Sequence, residues 1–488
     1  MLTRTALCLA TLGLASCAVG PDYKKPDTAD ITPAKWRWQP AAPRDHVPRG
    51  EWWKVFRDSE LNRLEARALA SSQTLRAAVA RVEQARAQAR ISAANFVPDI
   101  RFNGTGKRER TSGNQPTPFT SVPGGAPSTP TIPGVETPEV ETKPFSIPSA
   151  HLNTFTSTLD LSYEIDFWGK VRRTFESARA EAAASAADYQ NVLLTLTGDV
   201  AASYFLLRSF DSELAALRRT IELRTQAFNL IKQRADAGTV SEIDAERART
   251  ELATARAELA DVKLQRQEIT DTLALLCGEP ATSFRIAERP LTETPPNIPA
   301  GLPADLLERR PDIARAERTV AARNADIGVA TAAYFPSVKL TGSGGYLSKD
   351  VDSLFSPDSK VWSIGPSVSL PITGWAVIGS NVKRTKAARE EAIANYRQAV
   401  LTAVKDVETS LAQIRYRREQ GAAQSEALAS SVKATELIRS RYESGTISFI
   451  DYLDAERTRL QIERQNALIS AQRFIATVRL IKALGGGW

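Results

Sequence analysis

The sequence from Arg234 to Asp244 is R-A-D-A-G-T-V-S-E-I-D, and the sequence from Arg441 to Asp451 is R-Y-E-S-G-T-I-S-F-I-D. Each copy lies between two long stretches of helical periodicity, which break at Gly238 and Gly445. Recurrence of a helix–Gly–helix phrase indicates an internal structural repeat. The chain is therefore predicted to contain two versions of one unit, each with a helical hairpin.

A second repeated phrase precedes each hairpin. Residues 96–104 are F-V-P-D-I-R-F-N-G, and residues 334–342 are Y-F-P-S-V-K-L-T-G. Each unit is thus predicted to contain an alternating segment followed by helices. The units differ mainly in one loop, which is long and rich in Pro, Thr, Ser and Gly over residues 107–153 and short over 346–361.

Composition excludes several classes of protein. The net charge of +7 is spread over mixed-sign helices without a basic block, which indicates solvated helix faces rather than nucleic-acid binding. His46 and His151 both lie in loop-like sequence, and Cys277 is the only cysteine after residue 17. Metal sites need clustered ligands, and the sequence contains no such cluster. No nucleophile–base pair or phosphate loop is present either, and we predict that the chain is not an enzyme.

The N-terminus is predicted to be an export signal over residues 1–16. Arg4 precedes the apolar run 6–14, which is too short to remain as a spanning helix. The residues Leu-Ala-Ser-Cys at 14–17 resemble a bacterial lipobox, in which Cys17 is lipidated and becomes the first mature residue. In the lipoprotein sorting pattern that this resembles, Asp directly after the cysteine favours retention in the inner membrane, so Ala18 at that position favours delivery to the outer membrane. The alternative is an ordinary signal with an incidental cysteine. Residues 17–57 would form a lipidated, extended N-terminal segment.

Four stretches alternate apolar and polar residues, as strands with one apolar and one polar face do. In residues 159–167, L-D-L-S-Y-E-I-D-F, every odd position is apolar and every even position is polar. A length near ten residues suits tilted outer-membrane strands, although a half-buried sheet of a soluble protein gives the same pattern. Strands that cross lipid must close, and four are too few for one chain. Spanning strands would therefore need several protomers, with eight, twelve or sixteen strands in total.

Long helices separate these strands, and their apolar residues follow heptad spacing, which predicts coiled-coil packing. Two of them, of about 65 residues, would each be roughly 100 Å long and extend away from the membrane as a bundle or tube. The predicted first repeat is 58–285, with strands at about 96–106 and 155–167 and helices at 170–236 and 240–277. The linker is 286–302. The second repeat is 303–488, with strands at about 336–345 and 362–372 and helices at 377–443 and 447–484.

Taken in order, several motifs over the whole mature chain resemble the TolC family of outer-membrane factors, in its OprM/NodT lipoprotein branch. They are C-A-V-G-P-D-Y-K-K-P at 17–26, Trp52-Trp53 with Phe56, Asp58 and Leu61, Y-E-I-D-F-W-G at 163–169, L-L-E-R-R-P-D-I at 306–313, the two hairpin phrases, and K-A-L-G-G-G-W at 482–488. The resemblance implies an α+β membrane protein with two repeats of a strand pair plus long helical hairpins. It also implies a homotrimer whose twelve-strand β-barrel in the outer membrane continues into a periplasmic α-helical barrel.

The implied function is the exit duct of a tripartite pump for multidrug or metabolite efflux. The implied partners are a periplasmic adaptor protein, an inner-membrane transporter of the resistance–nodulation–division (RND) class and outer-membrane lipid. Apart from the covalent lipid on Cys17, no cofactor is implied. A duct for type I protein secretion would share this fold, and a non-conducting structural periplasmic lipoprotein is a less favoured alternative. The exported substrate is not specified by the sequence.

Two sets of residues match functional positions of that family. The set that matches its adaptor-docking turns is Ala237, Gly238, Thr239, Ser444, Gly445 and Thr446. The set that matches its periplasmic gate is Ile450, Asp454 and Arg457. On a helix the members of the second set share one face, so that three copies would narrow a pore and form salt bridges between protomers. The alternative is a solvated i, i+3 pair that contributes little.

The first copy of the hairpin departs from this gate pattern. Ile243 keeps the apolar position, but Arg247 and Thr250 stand where the second copy has Asp454 and Arg457. Only the second hairpin is therefore predicted to carry the charge pair. The dense charges of residues 306–317 are interpreted as helix capping around Pro311 and Asp312.

Overall fold

The structure of the protein is a computed structural model that describes residues 18–33, 35–37, 50–110, 112, 151–298 and 309–486. The predicted signal peptide, the lipidation site Cys17 and most of the loop 107–153 lie outside these ranges. Residues 306–308 of the charged motif and the last two residues of the chain also lie outside them.

The described residues form four strands and seven α-helices. The strands are β1 (Asp99–Arg110), β2 (His151–Ile165), β3 (Ser337–Ser348) and β4 (Lys360–Ser369). The helices are α1 (Ser59–Ser71), α2 (Gln73–Ala94), α3 (Lys170–Asp236), α4 (Glu242–Leu276), α5 (Pro311–Ala332), α6 (Trp375–Glu443) and α7 (Phe449–Ala483). The expected fold class, with a strand pair and long helical hairpins in each repeat, is confirmed.

The strands form one antiparallel sheet in the order β1-β2-β3-β4. Because side chains alternate along a strand, the register sorts whole rows of residues to one face. One row is Phe102, Leu159, Gly344 and Trp362, and the next row, on the other face, is Arg101, Asp160, Ser343 and Ser363. The sheet therefore has an apolar face and a polar face, as the alternation predicts. The apolar face is open, since Trp362 is 80% exposed.

The sheet extends further into the first loop than the sequence indicates. Residues 107–110 and 151–153 were expected to be loop, but Lys107 pairs with Thr154 and Arg110 pairs with His151. Polar residues continue the strands there because pairing uses the backbone, whatever the composition of the side chains. At its other end β1 begins only after Pro98, since the N–H of Phe96 still donates to the carbonyl of Ala93.

The chain divides into two compact units that do not coincide with the two sequence repeats. The sheet unit contains residues 93–172 and 331–379, together with the described residues before Gly20. The helical unit contains the remainder, residues 20–92, 173–330 and 380–488. Each unit thus draws segments from both repeats. Within the sheet unit, Trp168 stacks on Phe335 with ring centroids 4.6 Å apart, which joins the two repeats next to the strands.

The core of the helical unit is built from the heptad positions and a cluster of aromatic rings. Phe205 of α3 stacks on Phe474 of α7 at 4.4 Å between centroids, and Phe56 packs against both. Of the apolar residues at heptad spacing in the long helices, Phe210, Ile221, Val404 and Ile414 are half-buried, and Leu207, Leu214, Leu217, Val400, Val407, Leu411, Val478 and Ile481 are buried. Each such side chain contributes about 1.5–3 kcal/mol when it is removed from water. None of the described helices combines the length and apolar character needed to cross a membrane.

The N-terminal segment from residue 20 packs against α5. Gly20 approaches Gly328 so closely that a Cβ atom on Gly20 would meet the Gly328 Cα at 2.5 Å. Asn324 donates to the carbonyl of Pro21 at 2.8 Å, and the Tyr23 hydroxyl donates to Glu317 at 3.1 Å. Because these contacts join residues about three hundred positions apart, they fix the course of an otherwise extended segment.

Candidate functional site at the two glycine turns

The first copy of the repeated phrase ends α3 in a left-handed turn. Gly238 has a φ of 72°, and its N–H donates to the carbonyl of Ala235 at 2.8 Å. The N–H and the hydroxyl of Thr239 both donate to the carbonyl of Arg234 at 2.9 Å. The two backbone bonds, from the N–H groups of Gly238 and Thr239, form the Schellman motif, which satisfies the last carbonyl groups of a helix.

The second copy ends α6 in the same way. Gly445 has a φ of 73° and donates to the carbonyl of Tyr442 at 2.9 Å. The N–H of Thr446 donates to the carbonyl of Arg441 at 3.0 Å, and the hydroxyls of Thr446 and Ser444 each donate to the same carbonyl at 2.9 Å. The repeated residues therefore encode one backbone conformation twice.

Each turn is open to its surroundings in the described chain. A Cβ atom added at Gly238 or Gly445 would meet nothing within 4 Å, so glycine is needed for its positive φ and not for a close approach. The predicted docking residues Ala237, Gly238, Thr239, Ser444, Gly445 and Thr446 are all exposed. The structure thus presents both turns as accessible surfaces.

The helices that follow the turns start with different caps. Ser241 accepts a hydrogen bond from the N–H of Ile243 at 3.2 Å at the start of α4. Ser448 instead forms a capping box with Asp451, in which each side chain accepts from the backbone N–H of the other. The carboxylate of Asp451 is thereby committed to the first turn of α7.

The three predicted gate residues lie on one groove together with their counterparts from the first repeat. The groove has a volume of about 630 Å³, and Ile450, Asp454 and Arg457 line one side of it. Ile243, Arg247 and Thr250 line the other side. Ile243 and Ile450 are both exposed apolar residues, at 63% and 43%. Equivalent positions of α4 and α7 thus face the same space within one protomer.

Arg457 makes two ion pairs, and one of them was not anticipated. Its contact with Asp454 is 3.3 Å long and joins side chains that are 55% and 64% exposed. Its other partner is Glu251 of α4, which is buried. Arg224 of α3 approaches the same carboxylate at 3.2 Å and donates to the Glu251 backbone carbonyl at 2.8 Å. Glu251 therefore joins the starts of α4 and α7 to α3.

The environment of Glu251 keeps it charged. The hydrogen bond from Arg457, with the positive charge of Arg224, holds the pKa of Glu251 below its ordinary value against the opposing effect of burial. The same bond raises the pKa of Arg457. Two cations and two carboxylates, those of Glu251 and Asp454, balance in this cluster.

The role of Glu251 was not predicted from the sequence, because a single carboxylate on a charged helix belongs to no distinctive motif. The available signal is its spacing from small buried residues of α4. Glu251 follows Ala248 by three positions and precedes Ala255 by four, so it lies on the buried stripe. A carboxylate at such a position needs a cationic partner, but the sequence does not indicate which arginine supplies it.

Aromatic rings pack around the start of α7. Tyr442 stacks on Tyr452 with centroids 5.5 Å apart and an interplanar angle of 6°, and Phe449 contacts both rings. The Tyr452 hydroxyl lies 3.5 Å from the buried Glu456, which also pairs with Arg459 at 3.1 Å. Burial raises the pKa of Tyr452 to about 12. The second turn is therefore anchored by a packed aromatic cluster.

A second set of ion pairs lies one heptad further along α7. Arg464 binds Glu213 of α3 and approaches Glu258 of α4 at 3.3 Å. Arg464 and Glu258 are each seven residues beyond Arg457 and Glu251, so the two sets repeat along the same pair of helices. The α4–α7 contact thus contains two successive charged connections.

The charged motif around Pro311 has structural contacts. Pro311 is the first residue of α5, and Arg310 binds Asp312 at 2.6 Å. Arg310 also donates to the carbonyl of Ala483 at 3.0 Å, which ties the start of α5 to the end of α7. Within the described residues no group of His, Cys, Asp or Glu has the arrangement of a metal site.

Comparison with known proteins matches the chain along nearly its whole length. The sequence profile of the family described as "Outer membrane efflux protein" matches residues 64–279 and 302–486. The outer membrane protein OprJ of Pseudomonas aeruginosa is 33% identical over 487 residues, which cover 98% of this chain and 95% of OprJ. The toluene efflux pump outer membrane protein TtgI of Pseudomonas putida is 31% identical over 488 residues, covering 98% of this chain and 97% of TtgI.

A solved structure agrees with the fold. The crystal structure of the Campylobacter jejuni CmeC outer membrane channel is similar with a TM-score of 0.84 and 27% sequence identity. The alignment covers 96% of this chain and 95% of CmeC. The similarity therefore extends to both repeats and to both the strands and the helices.

Proposed function

The chain belongs to the family of outer membrane efflux proteins, and on that premise we propose that it is the exit duct of a tripartite efflux pump and acts as a homotrimer. It is an outer-membrane channel protein and not an enzyme. The profile match over both repeats carries the proposal. The periplasmic part would be the helical unit, and the sheet unit would cross the outer membrane.

The sheet supports the proposal of three copies. In one chain β1 and β4 are edge strands, and the outer edge of each has no partner strand among the described residues. Unpaired backbone groups are unfavourable in lipid, so edges at the membrane must be closed by other strands. Pairing of β4 of one protomer with β1 of the next would give a closed wall of twelve strands. Its apolar face would contact lipid and its polar face would line the duct.

We propose that the charge cluster at the second turn closes the periplasmic end. Ile450 and Asp454 would approach their symmetry copies, and Arg457 would hold the start of α7 against α4 through Glu251. Since Glu251 is buried and Asp454 is exposed, the bond within the protomer would supply most of the resistance to opening.

The two glycine turns would be the docking surface for a periplasmic adaptor, which would connect the duct to an inner-membrane transporter of the RND class. The accessibility of the turns supports this role, because all six predicted residues are exposed and both glycines have open space around them. Cys17 would carry the lipid anchor. One relative takes its name from toluene efflux, and we propose small organic molecules rather than proteins as the transported class.

Reconstitution tests this function. Protein purified in detergent is expected to have the mass of a trimer and to give discrete conductance steps in planar bilayers. A non-conducting monomer under the same conditions would contradict the duct and favour a structural lipoprotein. Loss of the lipid mass in Cys17→Ala, measured by mass spectrometry of the intact protein, tests the anchor separately.

A further inference from the structure

The polar face of the sheet contains one carboxylate without an ion-pair partner. The four acidic residues on this face of the described strands are Asp99, Glu109, Asp160 and Glu164. Three of them have ion pairs, which are Asp99–Arg101 at 2.6 Å, Glu109–Lys107 at 2.5 Å and Glu164–Lys170 at 2.9 Å. Asp160 has none among the described residues. Among these four carboxylates of the described strands, only that of Asp160 is not neutralised by an ion pair.

Neutral donors hold Asp160 in a fixed position. The hydroxyl of Ser343 on β3 donates to one carboxylate oxygen at 2.6 Å, and the side-chain amide of Asn103 on β1 donates to the other. Asp160 thus receives hydrogen bonds from both neighbouring strands at the middle of β2. Such bonds orient the carboxylate without cancelling its charge.

Other charges on this face do not cancel it. Arg101 is directly opposite Asp160 in the register but already pairs with Asp99, so the three residues together have a charge of −1. Lys339 lies four residues from Ser343 along β3, about 13 Å away at 3.3 Å per residue. It lies directly opposite Glu164, which already pairs with Lys170, so these three residues together have a charge of +1. The polar face therefore has a net negative charge around Asp160 and a net positive charge around Lys339.

We propose that Asp160 is a selectivity-determining residue of the duct, which favours cations over anions in the part lined by the sheet. The inference rests on the proposed function, because the trimer repeats Asp160 three times around one axis. Twelve strands about 4.8 Å apart and tilted by about 40° give a wall of about 12 Å radius. The three carboxylates would then lie about 9 Å from the axis, within the Debye length of about 10 Å at 0.1 M salt.

The expected effect follows from Coulomb's law with screening. Three charges at that distance raise the cation concentration on the axis about twofold and lower the anion concentration by a similar factor. Asp160→Asn is therefore expected to reduce the cation-to-anion permeability ratio at least twofold at 0.1 M KCl. The effect should nearly vanish at 1 M, where the Debye length is about 3 Å. Lys339→Gln should change the ratio in the opposite direction.

The test is the reversal potential of single trimers in planar bilayers under a KCl gradient. Asp160→Glu keeps the charge and serves as the matched variant of Asp160→Asn, and Ser343→Ala removes a hydrogen bond but no charge. Both controls are expected to keep the wild-type ratio. Trimer mass and circular dichroism establish that each variant is folded.

The outcomes separate the two proposals. A ratio that falls in Asp160→Asn, is retained in Asp160→Glu and converges at high salt supports the inference. Discrete conductance with the same ratio in wild type and Asp160→Asn would overturn the role of Asp160 and leave the duct intact. Absence of any conductance from the wild-type trimer would overturn the proposed function and this inference with it.

Discussion

The buried contact between Glu251 and Arg224 makes Glu251→Gln the most informative perturbation of the proposed gate. The substitution keeps the shape of the side chain and removes its charge. Arg224, whose side chain is 8% exposed, then stays buried without a counter-ion, and Arg457 loses its partner on α4. Both consequences weaken the attachment of the start of α7 to its neighbours.

The magnitude follows from the burial of each partner. Removal of one member of a buried ion pair costs about 3–5 kcal/mol. Because the Arg457 side chain is 55% exposed, we expect the lower end of that range, about 3 kcal/mol. A change of that size shifts an opening equilibrium about 100-fold. By contrast, Asp454→Asn disrupts only an exposed i, i+3 pair, which contributes about 0–1 kcal/mol.

The assay is the open probability of single channels in planar bilayers at neutral pH. The expected order of increase is Glu251→Gln first, Arg457→Ala next and Asp454→Asn last. Arg457→Ala ranks second because Glu251 retains Arg224. Arg439→Gln is the matched control, since Arg439 makes exposed pairs with Glu436 at 3.5 Å and with Glu443 at 3.7 Å close to the same turn.

Two results would refute this reasoning. Glu251→Gln with the open probability of the wild type would show that the connection between α4 and α7 does not restrain the tip. A larger increase in Asp454→Asn than in Glu251→Gln would place the restraint between protomers instead. Arg439→Gln should resemble the wild type in either case.

Three further predictions concern stability and pH. Gly238→Ala and Gly445→Ala should each lower the free energy of unfolding by about 1–2 kcal/mol, because alanine is strained at positive φ. Asn at the same positions should lower it less, since Asn tolerates this conformation better. Denaturant titration measures the free energy of unfolding of each variant, and equal losses for Ala and Asn would contradict the prediction. The pKa of Glu251 is lower in the folded state than in the unfolded state. The stabilisation by its ion pairs is therefore complete above the unfolded pKa of about 4.3 and is lost as the pH falls below it. Open probability should therefore rise below about pH 4, and less so in Glu251→Gln. Phe474→Ala should destabilise the helical unit by about 3–5 kcal/mol, measured by thermal unfolding, because the ring is buried against Phe205.

Local patterns were sufficient for most of the fold. The alternation in residues 159–167 depends only on which side of a strand each residue occupies, so it predicted both faces of the sheet. The heptads of the long helices likewise identified buried positions such as Leu207 and Val407. Strand ends were less accurate, because Lys107 and Arg110 pair through backbone groups that leave no trace in the side chains.

The candidate site was predicted only in part for the same reason. The sequence placed Asp454 and Arg457 on one helical face, since i, i+3 geometry is local. It gave no indication that Arg457 also binds Glu251, which is 206 positions away. Ion pairs between helices depend on their relative rotation and depth, and these are set by packing of the whole unit.

The sequence by itself determined the repeat, the two glycine turns, the alternation of the strands, the heptad pattern of three long helices and the family, because all of these are contained in the order of residues along the chain. Only the tertiary structure decided that equivalent positions of the two repeats face one groove, and that a buried carboxylate links Arg457 to Arg224. It also decided that Asp160 is held by neutral donors from two other strands. These properties arise where distant segments meet, and the free energy of a charge there depends on burial and partners that no local pattern specifies.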